Sequence, residues 1–299
     1  MFLITGGAGF IGSHFCEYLK LNNIDFFVID SFITGKKDNI SKNIPLIELD
    51  LSVERSSLKL KNIITNNNIS TIFHFAAIPN VQLSFQETYL THQNNITATV
   101  NILEAMRDTC ANTIVFSSTS AVYDSSNQPL TENSKVCPLT PYALQKYTSE
   151  QYIQLYSKAY NINATCLRYF NVYGDRMPIT GCYKSVIATF FEQYKRNEPL
   201  TITGRGKQTR DFIHVNDIVL SNIIVSRSCK GFCIYNIGYG KSYTVNEIAE
   251  CFEGVDIQYI EKRHEIEYSE CCNSKIVVST EWAPTIDVRD WIKTKLINN

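Results

Sequence analysis

The sequence predicts an α/β protein, in which a doubly wound parallel sheet is followed by a smaller C-terminal α/β lobe. Short apolar runs alternate with longer helix-like segments through the first half of the 299 residues. A glycine-rich turn follows the first of these runs. The runs are apolar throughout, which is typical of parallel strands that are covered on both faces.

The predicted elements follow one another in regular order up to about residue 169. Strands are predicted where β-branched and aromatic residues cluster, and helices where apolar residues recur on one face. The predicted strands are residues 2–5, 26–30, 46–50, 71–76, 113–117 and 164–168. The predicted helices of this part are residues 11–21, 56–66, 94–109 and 141–160.

The second half of the chain is less regular. Glycine-bearing turns at 204–206 and 238–240 interrupt it, and residues 185–195 and 245–252 have a helix-like pattern. Because no low-complexity linker precedes it, we expect a smaller lobe and not a tethered domain. The expected domains are residues 1–169, with a return segment near 212–237, and residues 170–299.

Composition excludes several classes of protein. Hydrophobic residues make up 44% and charged residues 19% of the chain, and the net charge is −1. This balance is typical of globular proteins and provides no basic surface for nucleic acid or an anionic membrane. No apolar run approaches the roughly 20 residues that a membrane helix needs. The N-terminal residues do not resemble a signal peptide, so a cytoplasmic location is expected.

The ten cysteines include no Cys-x-x-Cys pair, and only five histidines accompany them. This spacing argues against a zinc site, and no metal is expected. In a chain without a secretory signal, cysteines are expected to remain reduced and mostly buried.

A glycine-rich turn lies between the first predicted strand and the first predicted helix. Residues 6–12 read Gly-Gly-Ala-Gly-Phe-Ile-Gly and fit both Gly-x-Gly-x-x-Gly and Gly-x-x-Gly-x-x-Gly. Glycines let the backbone approach a pyrophosphate, and the start of the helix offers N–H groups to an anion. The motif therefore predicts a dinucleotide site; a tight turn that needs glycine only for steric reasons is the alternative.

Asp30 ends the second predicted strand and indicates which dinucleotide binds. An acid at this position accepts hydrogen bonds from the adenosine ribose and repels a 2′-phosphate, which favours NAD over NADP. An ordinary aspartate that caps a turn is the alternative. Lys36 and Lys37 would suit a 2′-phosphate, so NADP also remains open at this point.

Tyr142 and Lys146 lie four residues apart in the long predicted helix and therefore share one of its faces. A neighbouring ammonium favours the phenolate form of tyrosine, so the pair fits a base that deprotonates an alcohol. The hydroxyl-rich residues 117–120 follow the fifth predicted strand, at the edge where such sheets bind ligands. A hydroxyl there can relay a proton or bind an oxyanion; a turn that binds its own backbone is the alternative.

An ordered set of motifs resembles the extended short-chain dehydrogenase/reductases and, within them, the nucleotide-sugar 4-epimerases. The motifs are Thr5-Gly6-x-x-Gly9-x-x-Gly12, Asp50-Leu51, His74-Phe75-Ala76-Ala77, Ser117-Ser118-Thr119, Tyr142-x-x-x-Lys146, Leu-Arg-Tyr-Phe-Asn-Val-Tyr-Gly at 167–174 and Arg-Asp-Phe-Ile-His-Val at 210–215. The similarity extends from Phe2 to about Trp291. It implies a Rossmann-like NAD-binding domain and a lobe that binds a nucleotide sugar.

The resemblance also implies roles for individual residues. The implied catalytic residues are Thr119, Tyr142 and Lys146. The implied cofactor-binding residues are Gly6, Gly9, Phe10, Ile11, Gly12, Asp30, Lys36, Asp50, Leu51, Phe75, Ala76, Ala77, Asn94, Ser117, Tyr142, Lys146 and Tyr169. The implied substrate-binding residues are Ser118, Thr119, Asn171, Arg210, Arg263 and Ser269. Asn171 and the two arginines are expected at the nucleotide diphosphate, which a guanidinium binds through two oxygens.

The implied reaction is NAD-dependent inversion of a UDP-sugar at C4 through a transient 4-keto sugar. In this family, dehydratases follow the catalytic Thr with Asp-Glu and decarboxylases usually read Thr-Ser-Glu, whereas Ser120 and Ala121 follow Thr119 here. This difference favours epimerisation. The alternatives are a nucleotide-4-ketosugar reductase, a UDP-glucuronate decarboxylase-like enzyme or a non-catalytic dinucleotide-sensing protein. The resemblance further implies a homodimer formed through helices 94–109 and 141–160.

Substrate choice is expected to depend on Ser269. If a one-residue gap lies between Arg263 and Glu265, the family alignment places Ser269 beside the sugar's 2-substituent. A small residue there leaves room for an acetamido group, so N-acetylhexosamines are expected substrates. A gap placed later would align Tyr268 instead, and its ring would restrict the pocket to unsubstituted hexoses.

Overall fold

The computed structural model describes residues 1–124, 128–178, 184–262 and 266–298. The chain divides into two units. The first unit comprises residues 1–122, 136–168 and 219–235. The second unit comprises residues 123–135, 169–218 and 236–299.

Strands and helices alternate up to residue 169, as the apolar pattern predicts. In chain order the strands of this part are β1 (Phe2–Thr5), β2 (Phe26–Asp30), β3 (Leu46–Glu48), β4 (Thr71–His74), β5 (Thr113–Thr119) and β6 (Asn163–Tyr169). The helices are α1 (Phe10–Leu21), α2 (Ser56–Asn66), α3 (Val81–Gln86), α4 (Thr88–His92), α5 (Ala98–Arg107) and α6 (Pro141–Tyr160).

The remaining elements are shorter and more varied. Their strands are β7 (Asn171–Tyr173), β8 (Leu200–Thr203), β9 (Thr209–His214), β10 (Phe232–Ile237), β11 (Ser242–Thr244) and β12 (Ile257–Ile260). Their helices are α7 (Val186–Lys195), α8 (Val215–Ser228), α9 (Val245–Ala249), α10 (Ser274–Thr280) and α11 (Val288–Ile297). Strands β11, β9 and β7 form one small sheet, and β12 pairs with β8 in another.

The main sheet has seven strands among the described residues, in the order β10-β6-β5-β4-β1-β2-β3. The pairings of β1 with β2 and β4, of β2 with β3 and of β4 with β5 are parallel. The chain proceeds outward from β1 on one side and from β4 on the other, so the order reverses between them. This reversal defines a doubly wound sheet and confirms the predicted fold class. Such folds bind ligands at the point of reversal, which here lies at the carboxyl ends of β1 and β4.

The chain departs from the prediction between residues 81 and 107. The predicted helix start at residue 94 is wrong, because α3 and α4 already occupy residues 81–92. Asn80 begins α3 by accepting a hydrogen bond from the backbone N–H of Leu83 at 2.9 Å. A π-helical turn over Gln93–Thr97 then joins α4 to α5. The pair Pro79-Asn80 is the sequence signal for this start.

The cysteines also differ from expectation at one place. Cys229 and Cys233 form a disulfide across the turn between α8 and β10, whereas reduced thiols are expected from the sequence. Their spacing is Cys-x-x-x-Cys, one residue longer than Cys-x-x-Cys. Cys166, Cys251 and Cys271 are buried and form no disulfide, in line with the expectation.

Within residues 1–124, 128–178, 184–262 and 266–298, no helix combines the length and apolar character that crossing a bilayer requires. The same ranges contain no group of three or more His, Cys, Asp or Glu side chains placed to bind a metal ion.

A buried ion pair joins α6 to two strands of the main sheet. Glu150 on α6 accepts two hydrogen bonds from the guanidinium of Arg168 on β6, at 2.9 and 2.6 Å. The hydroxyl of Ser118 on β5 donates to the same carboxylate at 2.5 Å. The two charged side chains are 0% and 2% exposed, so each charge depends on the other for compensation.

We predict that Arg168→Met lowers the free energy of unfolding by about 3–5 kcal/mol, because it leaves the buried Glu150 carboxylate without the guanidinium that binds it. The double variant Glu150→Leu/Arg168→Met should recover most of this loss, since it removes both charges. Urea denaturation followed by circular dichroism measures both effects.

Lys61→Met is the control, because Lys61 pairs with Asp108 at 3.2 Å while both side chains are at least 40% exposed. Its loss should stay below about 1 kcal/mol. A double variant that loses as much stability as Arg168→Met alone would show that the ion pair does not determine the stability of this region.

Candidate functional site

The glycine turn lies directly against the segment that follows β4. Gly6 has a φ of +71°, and a Cβ atom at this position would be 2.5 Å from the backbone nitrogen of Ala76. Its own N–H donates to the carbonyl of Ile29 at 2.8 Å. Any larger residue at position 6 would therefore separate the two segments. Phe75, Ala76 and Ala77 are half-buried beside this turn.

The start of α1 provides backbone donors without a competing side chain. A Cβ atom on Gly12 would be 2.2 Å from the carbonyl oxygen of Gly6, so the helix can begin this close only with glycine there. Gly9 is the N-cap and forms no side-chain cap, and the first turn contains no acidic residue. Phe10 and Ile11 follow it and are half-buried. This helix start has the features of an anion-binding N-terminus.

Asp30 lies at the end of β2, beside the glycine turn. Its carboxylate accepts hydrogen bonds from the backbone N–H groups of Ala8 and Phe32, each at 2.8 Å. Burial raises the pKa of the Asp30 carboxyl above its usual value, while these two N–H groups act in the opposite direction. A carboxylate accepts up to about four hydrogen bonds, so acceptor capacity remains for a ribose hydroxyl.

The predicted adenine-side residues lie at the ends of neighbouring strands. Asp50 accepts hydrogen bonds from the N–H and the hydroxyl of Ser52 at 2.8 and 2.7 Å, which closes the turn after β3. Leu51 is buried. The side chain of Lys36 is exposed, while its backbone N–H donates to the carbonyl of Ala8 at 3.0 Å.

Tyr142 lies in the first turn of α6. Thr140 caps this helix by accepting a hydrogen bond from the N–H of Ala143 at 3.1 Å, and Pro141 occupies its first position. The backbone N–H of Tyr142 donates to the hydroxyl of Ser84 at 3.1 Å, which ties the helix start to α3. The Tyr142 side chain is 8% exposed.

Lys146 lies one turn later on the same face and is 2% exposed. Its ammonium donates to the carbonyl of Ser117 at 2.8 Å and lies 4.6 Å from the centre of the Phe116 ring. Burial lowers the pKa of Lys146 to about 7, while the nearby Glu150 and Cys166 act to raise it. A lysine of this kind is held in place and sensitive to the charge of what binds beside it.

The hydroxyl groups at the end of β5 face different surroundings. Ser118 is buried, and its hydroxyl binds Glu150 in the interior. Thr119 is half-buried; its hydroxyl oxygen accepts a hydrogen bond from the N–H of Ala121 at 3.2 Å. The Thr119 hydroxyl proton therefore retains the capacity to donate to a ligand. Ser117 contributes its carbonyl oxygen to Lys146.

Asn95 is a buried residue near the candidate site that the sequence analysis did not single out. Its amide accepts from the N–H of Ile78 at 2.8 Å and donates to the side chain of Gln145 at 2.7 Å. Its backbone carbonyl accepts from the hydroxyl of Ser149 at 3.0 Å. The predicted Asn94 is half-buried and donates to the carbonyl of Leu90 in its own helix at 3.0 Å. Asn95 thus links the segment after β4 to the helix of Tyr142 and Lys146.

His74 connects the strands beneath this site. Its ring nitrogens contact the hydroxyls of Thr5 at 2.8 Å and Thr99 at 3.0 Å. Burial, and then the charge of Lys146, lower the pKa of His74 to about 3. The ring is therefore neutral at physiological pH and acts as a hydrogen-bonding link between β1, β4 and α5.

The predicted substrate residues of the second unit lie on different segments. Asn171 begins β7, and its amide donates to the backbone carbonyl of Asp211 at 2.8 Å. Arg210 lies on β9 and is half-buried. Ser269 is 8% exposed. Tyr169, for which the resemblance implies a role in cofactor binding, also lies in this unit and is buried. Arg263 lies outside the described residues.

The first-unit residues fit NAD as their ligand. The steric contacts at Gly6 and Gly12, together with the uncapped start of α1, form a cradle for a diphosphate. Asp30 would supply an acceptor for the adenosine ribose, and Lys146 would supply a donor for the nicotinamide half. These residues, with Phe75 and its neighbours, would hold the dinucleotide.

Comparison with known proteins agrees with this interpretation. The family model described as "NAD dependent epimerase/dehydratase family" matches residues 2–238. A provisionally named UDP-glucose 4-epimerase of Methanocaldococcus jannaschii is 37% identical over 301 residues, which cover 98% of this chain and 96% of that protein.

Two solved structures are similar along nearly the full length. The UDP-glucose 4-epimerase of Thermotoga maritima, solved with UDP-glucose, matches with a TM-score of 0.92 and 28% identity, covering 98% of this chain and 96% of that one. The UDP-N-acetylglucosamine 4-epimerase of Methanobrevibacter ruminantium, solved with UDP-N-acetylmuramic acid, matches with a TM-score of 0.91 and 31% identity, covering 99% and 98%. The chain therefore belongs to the NAD dependent epimerase/dehydratase family, whose cofactor, NAD, is the one that the sequence predicts.

Proposed function

We propose that this protein is a UDP-sugar 4-epimerase that works with bound NAD and accepts N-acetylhexosamines. The observation that carries the proposal is the buried pair Tyr142 and Lys146 on one face of α6, beside the hydroxyl-bearing end of β5. The relatives named as 4-epimerases match over almost the whole chain, which supports the same reaction class here.

In the proposed mechanism, Tyr142 removes the proton from the sugar 4-hydroxyl, either directly or through Thr119. Bound NAD would supply reversible hydride chemistry at C4: after the 4-keto sugar has turned over in the pocket, the hydride would return to the opposite face of that carbon. Tyr142 returns the proton to the new 4-hydroxyl, and Thr119 donates a hydrogen bond to the carbonyl oxygen of the 4-keto sugar. The sugar leaves with inverted C4 and no net oxidation.

Lys146 supports this role of Tyr142 electrostatically. In its charged form, an ammonium one helical turn away stabilises the phenolate. Burial disfavours the charged form of Lys146, but Glu150 lies one turn further and opposes that effect. Because Lys146 is fixed against the carbonyl of Ser117, it acts from a defined position.

The turn after Thr119 supports epimerisation over elimination of water. Ser120 and Ala121 begin a short 3₁₀ turn that ends at Val122, and none of the three residues carries a carboxyl group. Elimination at this turn would need a further acid and base beside the sugar. Oxidation and re-reduction at one carbon needs only the groups already described.

The burial of Ser269 supports a pocket open to N-acetylhexosamines. Ser269 is 8% exposed, whereas the neighbouring Tyr268 is 58% exposed. The segment that holds them is fixed by Gln128, which accepts from the N–H of Glu270 at 2.9 Å and donates to the carbonyl of Tyr268 at 3.2 Å. The small, inward residue is thus the one expected beside the 2-substituent.

Tyr142→Phe should lower turnover by about 10²–10⁴, because it removes the proton-transferring oxygen and keeps the ring. The assay follows interconversion of UDP-glucose and UDP-galactose without added nicotinamide nucleotide, and acid denaturation measures bound NAD, which should be unchanged. Tyr152→Phe, on the exposed part of the same helix, is the control and should have wild-type activity. Near-normal turnover in Tyr142→Phe, or stoichiometric consumption of added NAD(P)H by the wild type, would contradict the proposal.

Ser269→Tyr should lower kcat/KM for UDP-N-acetylglucosamine by about 10²-fold, through overlap with the acetamido group, while UDP-glucose retains measurable turnover. Tyr268→Ser is the matched control and should leave the ratio between the two substrates unchanged. An equal loss on both substrates in Ser269→Tyr, or a change of the ratio in Tyr268→Ser, would rule out this assignment.

We propose a homodimer formed through α6, one of the two helices predicted for this contact, and through α3 and α4 in place of the predicted helix 94–109, because α3, α4 and α6 present apolar side chains to solvent. The most exposed are Phe85, Tyr89, Leu144 and Leu155. Light scattering should give about twice the chain mass of 34.1 kDa, and Leu155→Glu should give a monomer by placing a charge in the apolar contact. Leu58→Glu, at an equally exposed position on α2, should remain a dimer. A monomeric wild type would contradict the proposal.

A further inference from the structure

Asp211 is a fully buried acid that the proposed mechanism does not use. It lies on β9 next to Arg210 and is 0% exposed. In the antiparallel pairing of β11 with β9, Asp211 stands opposite Ser242. Burying a carboxylate is costly unless several donors compensate for the lost water, so its presence requires a structural or functional reason.

Three backbone N–H groups from two separate segments bind this carboxylate. Tyr239 and Gly240 donate from the turn after β10, at 2.6 and 2.9 Å. Cys271 donates from the segment that contains Ser269, at 3.2 Å. The backbone carbonyl of Asp211 in turn accepts the side chain of Asn171 at 2.8 Å. One residue therefore connects four parts of the second unit.

The space around the carboxylate is filled. A Cβ atom on Gly238 would be 2.9 Å from a carboxylate oxygen of Asp211 and 2.4 Å from the Cβ of Cys271. The turn can approach the acid this closely only with glycine at that position. Burial raises the pKa of Asp211 to about 7, although the three N–H groups oppose this effect. The surroundings thus fix the carboxyl group in place, and burial makes its charged form unfavourable.

The residues connected in this way are those that the proposed function assigns to the substrate. Arg210 precedes Asp211, Asn171 binds its carbonyl, and Ser269 lies two residues before Cys271. We propose that Asp211 is a positioning residue, which assembles Arg210, Asn171 and the Ser269 segment into one binding surface for the UDP-sugar before the substrate arrives. This inference rests on the proposed function, because that function assigns the three residues to UDP-sugar binding.

Asp211→Asn tests the proposal, since it keeps the size of the side chain and replaces an acceptor oxygen with a donor nitrogen. We expect the KM for UDP-glucose and the Kd for UDP, measured by titration calorimetry, to rise about 10- to 100-fold, with kcat within about threefold of wild type. The NAD content should be unchanged, because all of the residues proposed to bind the dinucleotide except Tyr169 lie in the first unit.

Asp217→Asn is the matched control. Asp217 is also a buried acid of the second unit, and it accepts hydrogen bonds from Thr285 and Ile286, which have no predicted substrate role. This variant should lower the melting temperature and leave UDP affinity within about twofold of wild type. Wild-type affinity in Asp211→Asn, or an equal loss in Asp217→Asn, would overturn the positioning role.

Amide hydrogen exchange of the wild-type protein provides a test that needs no variant to fold. The N–H groups of Tyr239, Gly240 and Cys271 should exchange slowly before UDP is added, because Asp211 already binds them. Rapid exchange that becomes slow only with UDP would overturn pre-assembly. A wild-type protein that does not bind UDP would instead contradict the proposed function and is recognised by the first titration.

Discussion

Glu150 places a carboxylate in the interior of the first unit, where Arg168 and Ser118 bind it. These residues belong to α6, β6 and β5, so an uncompensated charge would follow if any of the three elements shifted. Tyr142 and Lys146 lie on the same face of α6, two turns and one turn before Glu150. The hydroxyl group proposed to act with them follows Ser118 directly in the chain. The positions of the reacting groups therefore depend on a pair of charges that takes no part in the proton and hydride transfers.

Much of the first unit is predictable from sequence because its determinants are local. Continuous apolar runs indicate buried parallel strands, and the glycine turn is required by contacts such as that of Gly12 with the carbonyl of Gly6. Which of Asn94 and Asn95 is buried cannot be predicted from such local signals. It depends on a π-helical turn, and helical periodicity alone does not show which of two adjacent side chains points inward. The helices α3 and α4 before that turn were also not predicted, because each is too short to show a clear helical periodicity.

The second unit is less predictable because its contacts are long-range. Most of its strands are short, and a strand of three or four residues carries little periodicity. The donors to Asp211 come from 28 and 60 residues further along the chain. Family resemblance predicts substrate roles for Arg210 and Asn171, but only the folded chain shows that Asn171 binds the residue that follows Arg210. Similarly, the proposal that Ser269 and not Tyr268 borders the sugar depends on their relative burial, which only the folded chain shows.

The π-helical turn over Gln93–Thr97 adds one residue to a helical run that continues from α4 into α5. Each residue of a helix advances the side-chain direction by about 100°, so this one extra residue determines the direction of every later side chain in the helical run. A deletion here would give a more regular helix, but it would turn Thr99 away from His74 and move Asn95 away from Ile78. A regular helix would thus favour the shorter sequence, whereas the contacts of Thr99 and Asn95 require the extra residue. In the divergence of such chains, this helix is expected to tolerate substitution far better than a change of length.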